Sequence, residues 1–184
     1  FRPHENDHQL FFGPFDDVDG EDTYLPLQSE SAFCAPCHYG VFGGVVGVGH
    51  VAGGTLIYNS YGEWLDSPYS DPETGQTCQD CHMPPADYEY FVYPEQGGQP
   101  RPGELNVHTM PGAADETLLR NAVTMTTTAT LRGNRVIVDV SVTNDKTGHH
   151  VPTDSPLRHV MLVVTANDGA GRPLSLRSGP LLPA

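Results

Sequence analysis

The chain has 184 residues, room for one domain or two small ones. Nine Lys+Arg against 23 Asp+Glu leave a formal net charge of -14, with Lys146 the single lysine. That balance argues against a nucleic acid or an anionic membrane as partner, since both need a basic surface. Twenty Gly and 17 Pro, about a fifth of the chain, predict long stretches of turn and irregular backbone.

In chain order, residues 1–33 read as an acidic loop. Within it Asp16-Asp17-Val18-Asp19-Gly20-Glu21-Asp22 is like part of a calcium loop, but Phe15 holds the first ligand position and the closing Glu is missing, so a solvated acidic turn is the reading. Ser31 to Gly62 carries no Asp, Glu, Lys or Arg, which invites a membrane span; Gly40 to Tyr58, with seven glycines and His50, is too loose to form one. Ser60 to Asp66 predicts a short helix ended by Ser67-Pro68. Pro84 to Pro102, rich in Pro, Gly and Tyr, predicts a crossing loop, and Asp115 to Asn121 a capped helical turn.

From Ala122 the pattern changes. Val123, Met125, Thr127, Ala129 and Leu131 alternate with mostly Thr, Gly133-Asn134 turns the chain, and Val136, Val138, Val140 and Val142 repeat the alternation. A third strand is expected from about His159 to Thr165 and a last one near Leu174 to Leu176, beyond a turn at Asn167-Asp168-Gly169. The expected architecture is a mostly irregular and α region with little regular structure over 1–121. An antiparallel β-sandwich-like domain over 122–184 follows it and looks cut short, which suggests a fragment of something longer.

The chemistry sits in Cys34-Ala35-Pro36-Cys37-His38 and Cys78-Gln79-Asp80-Cys81-His82, both C-x-x-C-H, the attachment signature of c-type haem. Two thioethers three residues apart grip one porphyrin edge, and the next residue, His38 or His82, falls under the iron as proximal ligand. Two C-x-x-C pairs can also build a four-sulfur zinc cage. Here the pairs lie 44 residues apart, wider than common zinc ribbons, and zinc gives no reason for His after each. Redox dithiols are a third option, but no βαβ pattern surrounds either pair. Two covalently attached haems c are therefore expected, with Cys34, Cys37, Cys78 and Cys81 as attachment points. Covalent attachment of this class takes place outside the cytoplasm, so both motifs belong to one extracytoplasmic compartment, with no span between them.

Seven of the nine histidines are not proximal. His108, after the long loop, and His149, in Thr147-Gly148-His149-His150-Val151-Pro152-Thr153, lead as distal ligands, His149 ahead of His150. His50 and His8, in loops near a motif, come next. His4 and His159 read as surface or strand residues, and Met110 is an outside candidate. These candidates outnumber the distal positions of two haems, so some are expected to serve haems held elsewhere in a longer chain or a neighbouring subunit.

With these residues the sequence resembles multihaem c-type cytochromes of the bacterial cytochrome c family. The likeness runs over nearly the whole chain, most specifically through Tyr58-Asn59-Ser60-Tyr61-Gly62-Glu63-Trp64-Leu65, Thr77 to Pro84, His108 to Ala113 and Thr143 to Thr153. The resemblance implies His/His axial ligation, low-potential electron transfer, a β-domain after the haem-rich part, and further haems upstream of Phe1. Expected partners are other haem proteins or neighbouring cytochrome subunits in an oligomer, filament or larger redox complex. The alternative is a fragment of a multihaem oxidoreductase with an open-coordination haem. Enzymes of the wider classes tend to carry an altered attachment motif, such as Lys in place of His, and neither motif here departs that way.

Overall fold

A computed structural model of the chain describes residues 13–15, 24–43, 45–47, 50–52, 54–91, 93–96 and 98–179. His4, His8 and the acidic run 16–22 lie outside the described residues. Regular structure is sparse and short, as the Gly and Pro content predicts. Helices α1 (Ala35–His38), α2 (Ser60–Leu65), α3 (Cys78–His82) and α4 (Glu116–Arg120) span four to six residues each, and three antiparallel strand pairs accompany them.

Three of the four helices have a local cause at their first turn. Pro36 sits in the first turn of α1, where its missing N–H costs nothing. Thr77 and Asp80 form a reciprocal capping box at α3: the Thr77 hydroxyl accepts from the Asp80 N–H, and the Asp80 carboxylate accepts from the Thr77 N–H at 2.6 Å. Asp115 caps α4 by accepting from the Leu118 N–H at 2.7 Å.

The glycine-rich uncharged stretch is not featureless. Strands β1 (Gly40–Phe42) and β4 (Thr55–Tyr58) pair around β2 (Val45–Gly47) and β3 (His50–Ala52), two ladders nested in one excursion of the chain. Further on, the 84–107 loop closes on itself: the Ala86 N–H donates to the Leu105 carbonyl and the Val107 N–H to the Pro84 carbonyl. Leu105, 4% exposed, is the one buried apolar side chain among the described residues.

The β-region begins as its period-two pattern predicts. Strands β5 (Thr124–Arg132) and β6 (Arg135–Thr143) form a hairpin in continuous register, with Gly133 at φ 61 in the two-residue turn where a positive φ is required. Cross-strand partners Met125↔Val142, Thr127↔Val140, Ala129↔Val138 and Leu131↔Val136 collect the apolar residues on one face, and that face is open, Met125 being 62% and Leu131 72% exposed.

The expected third strand at His159 to Thr165 does not form, nor does the one at Leu174 to Leu176. Val160 to Val164 is apolar at every position, a pattern that gives a strand stability only where both faces are covered. Here Val160, Met161, Leu162, Val163 and Val164 are all exposed. The turn expected at Asn167-Asp168-Gly169 is present: an Asn167↔Pro173 bridge closes it, and Asp168 accepts from the N–H groups of Ala170 and Arg172. The architecture is thus a mostly irregular region followed by an antiparallel hairpin. No helix among the described residues is long and apolar enough to cross a membrane.

Candidate cofactor-attachment site

Each C-x-x-C-H motif is one helical turn. The N–H groups of Cys37 and His38 both donate to the Cys34 carbonyl, at 3.2 and 3.0 Å, which sets Cys34, Cys37 and His38 on one face of α1 at i, i+3 and i+4. Helix α3 repeats the arrangement with Cys78, Cys81 and His82. The two turns are tied together by buried polar groups. Ser31, 2% exposed, accepts the Cys78 N–H at 2.9 Å, and the Gln79 amide donates to the carbonyls of Gln28 and Glu30 at 2.9 and 2.8 Å. Gln79 Oε1 is left buried and without a partner.

The four cysteines are free thiols. Burial, then the neighbouring Cys78 thiol and, last, Cys37 push Cys34 from an ordinary 9.0 to about 11, so the two motifs approach each other through their first cysteines. Cys81 is raised too, by burial first and then by the Asp80 carboxylate and Cys78. Among the described residues no three His, Cys, Asp or Glu side chains are gathered to hold a bare metal ion.

The histidines carry the most informative geometry. The His82 Nδ1 lies 2.7 Å from the Pro111 carbonyl oxygen. A carbonyl only accepts, so Nδ1 is the donor and Nε2 is the nitrogen left to face a metal. His149 is fixed in the same tautomer by the His150 carbonyl at 3.0 Å from its Nδ1. The two rings face each other with centroids 6.1 Å apart and planes 19° apart. The ring-centre separation is of the order that two imidazoles sharing one metal through bonds of about 2 Å would have, so His82 and His149 are the two histidines that would hold a group carried on Cys78 and Cys81 once the stacked rings turn edge-on.

His149 is held there by a loop with its own scaffold. The Asn144 amide donates to the His149 carbonyl at 2.7 Å, and the Thr147 hydroxyl reaches the same oxygen. Gly148 lies against Trp64, where a Cβ would stand 2.9 Å from Cδ1. Glu63 of α2, its side chain 12% exposed, accepts from the His150 N–H at 2.9 Å and the Thr153 hydroxyl at 2.6 Å, and its other oxygen meets His150 Nδ1 at 3.0 Å. The loop then reaches the first motif: Asp154 Oδ1 is 3.5 Å from His38 Nδ1 and 3.4 Å from the Ser60 hydroxyl.

Of the expected distal ligands, His149 is brought to a proximal histidine, while the neighbouring His150 is engaged by Glu63. His108 is exposed, between the strand-like pairing at Val107 and the Pro111 carbonyl that binds His82. His50 lies in β3 opposite Gly47, and His159 has its Nδ1 3.4 Å from the Leu157 carbonyl. Sequence reasoning missed Glu63, Thr153 and Asp154, whose contacts span 87 to 94 residues where hydrogen-bonded and leave no local pattern. The one hint was the i, i+3 spacing of Ser60 and Glu63 on a helix face.

No family model, curated protein or solved structure matches this chain.

Proposed function

We propose that this chain is a dihaem segment of a multihaem c-type cytochrome, working outside the cytoplasm as an electron-transfer module. The observation that carries the reading is the pair of C-x-x-C-H helical turns, with the His149 ring centre brought to 6.1 Å from that of His82. Cys34 and Cys37 would hold one haem over His38, and Cys78 and Cys81 a second over His82. Each haem, when bound, supplies a one-electron iron couple.

The chain's own residues would hold the imidazoles in one orientation, offer His149 to the second group, and set the local charge. The exposed aromatic side chains flanking the first motif, Phe33 and Tyr39, are the kind of wall a porphyrin would cover. Net charge of -14 favours oxidised iron and steers a cationic partner. On this reading the partners are neighbouring haem proteins or cytochrome subunits. The open apolar face of β5–β6 would be one layer of a sandwich-like domain.

The test is expression with the c-type attachment machinery, followed by intact mass and a pyridine haemochrome. Two haems per chain are expected, and one after Cys34→Ala/Cys37→Ala or Cys78→Ala/Cys81→Ala. A chain of unmodified mass would overturn the reading.

A further inference from the structure

The two proximal histidines are not held alike. The His82 Nδ1–H donates to a backbone carbonyl, a neutral dipole. His38 Nδ1 instead faces the Asp154 carboxylate at 3.5 Å, and that carboxylate is only 16% exposed while His38 is 50% exposed. Asp154 has little freedom to leave. It takes φ 69, a left-handed conformation uncommon for a residue with a Cβ; Ser60 donates to it at 3.4 Å; and the preceding Thr153 is anchored on Glu63.

An anionic acceptor on the far nitrogen of a ligating imidazole fixes the ring and raises its basicity more than a carbonyl does. A more basic ligand favours the more positively charged, oxidised metal. We infer that Asp154 is a positioning residue of the first attachment motif, orienting His38 through Nδ1 and lowering the potential of the group held by Cys34 and Cys37. This rests on the haem reading above. It also gives the 144–154 loop two tasks: His149 faces the second motif and Asp154 supports the first.

The experiment is a spectroelectrochemical titration of the haem-loaded protein, wild type against Asp154→Asn and Asp154→Glu. His149→Ala in each background marks the second haem by its changed spectrum. The expected result is an upward shift of the first haem's midpoint in Asp154→Asn, the second haem unmoved, and recovery toward wild type in Asp154→Glu. The exchange of the His38 ring N–H, followed by NMR in the reduced protein, should quicken in Asp154→Asn alone. Equal shifts of both haems, which would mark a general charge effect, overturn the inference. So does an unmoved first haem in a chain that carries both groups. A chain that carries no haem fails the cytochrome reading instead, and takes the inference with it.

Discussion

Glu63 accepts hydrogen bonds from the backbone N–H of His150 and the hydroxyl of Thr153, 87 and 90 residues further along the chain. A carboxylate so little exposed that satisfies three donors in one loop acts as that loop's anchor. It joins the Asn144 and Thr147 bonds to the His149 carbonyl and the packing of Gly148 on Trp64 in holding the 144–154 loop.

Glu63→Gln leaves one acceptor oxygen where two served, so one of the loop's donors loses its partner. The cost should be about 1.5 kcal/mol, read as roughly tenfold faster hydrogen exchange at the His150 amide. Exchange unchanged from wild type would mean the loop is held by other contacts.

His149→Ala should open one iron. The reduced protein would then bind carbon monoxide at about one more site per chain than the wild type, whereas His150→Ala should gain none. Binding in the His150 variant alone would exchange the roles of the two neighbours.

The local signals in the sequence were read well. Two C-x-x-C-H turns, the Ser60 helix, the Asp115 cap and the β5–β6 alternation all follow from contacts within a few residues, and all are present. The nested ladders of β1–β4 were not legible: strands of three or four residues broken by glycines show too little period for any face to be recognised. The third strand failed for the opposite reason. Val160 to Val164 is apolar throughout, so its sequence asks for cover on both sides without saying what supplies it. In the site, the grouping of each cysteine pair with its following histidine on one helical turn was legible from spacing, and His149 was one of several histidines singled out. The supports at Glu63, Asp154 and the Pro111 carbonyl depend on tertiary placement alone.

Gly148→Ala places a Cβ 2.9 Å from Trp64 Cδ1 and 3.2 Å from the Tyr69 Cβ. Such overpacking should cost about 1 to 3 kcal/mol and displace the loop that carries His149. Thermal melts of the haem-loaded variant would show the loss, with partial reactivity toward carbon monoxide beside it. A melt and a spectrum equal to wild type would contradict the packing of Gly148 on Trp64.

The thiol chemistry gives a pH test on the chain without haem. Cys34 is raised to about 11 from 9.0, so its thiolate is about a hundredfold scarcer than that of an unstructured cysteine at pH 8. Alkylation should be slower by that factor, climb about tenfold per pH unit up to about 11, and return to the ordinary rate in urea. Because the folded value is the higher one, the neutral thiol's contribution to stability is complete below 9.0 and lost as pH rises through about 11. An ordinary alkylation rate in the folded chain would contradict the close approach of Cys34 and Cys78.

The central claim is that both C-x-x-C-H turns carry haem and that the second iron is closed by His82 and His149. The visible spectrum of the reduced protein, with and without carbon monoxide, tests it most directly. The account predicts sharp c-type bands from two haems, with the second-motif haem unchanged by the gas. A carbon monoxide shift at the second-motif haem of the wild-type protein would contradict the His149 closure, and no haem band at all would contradict the attachment sites themselves.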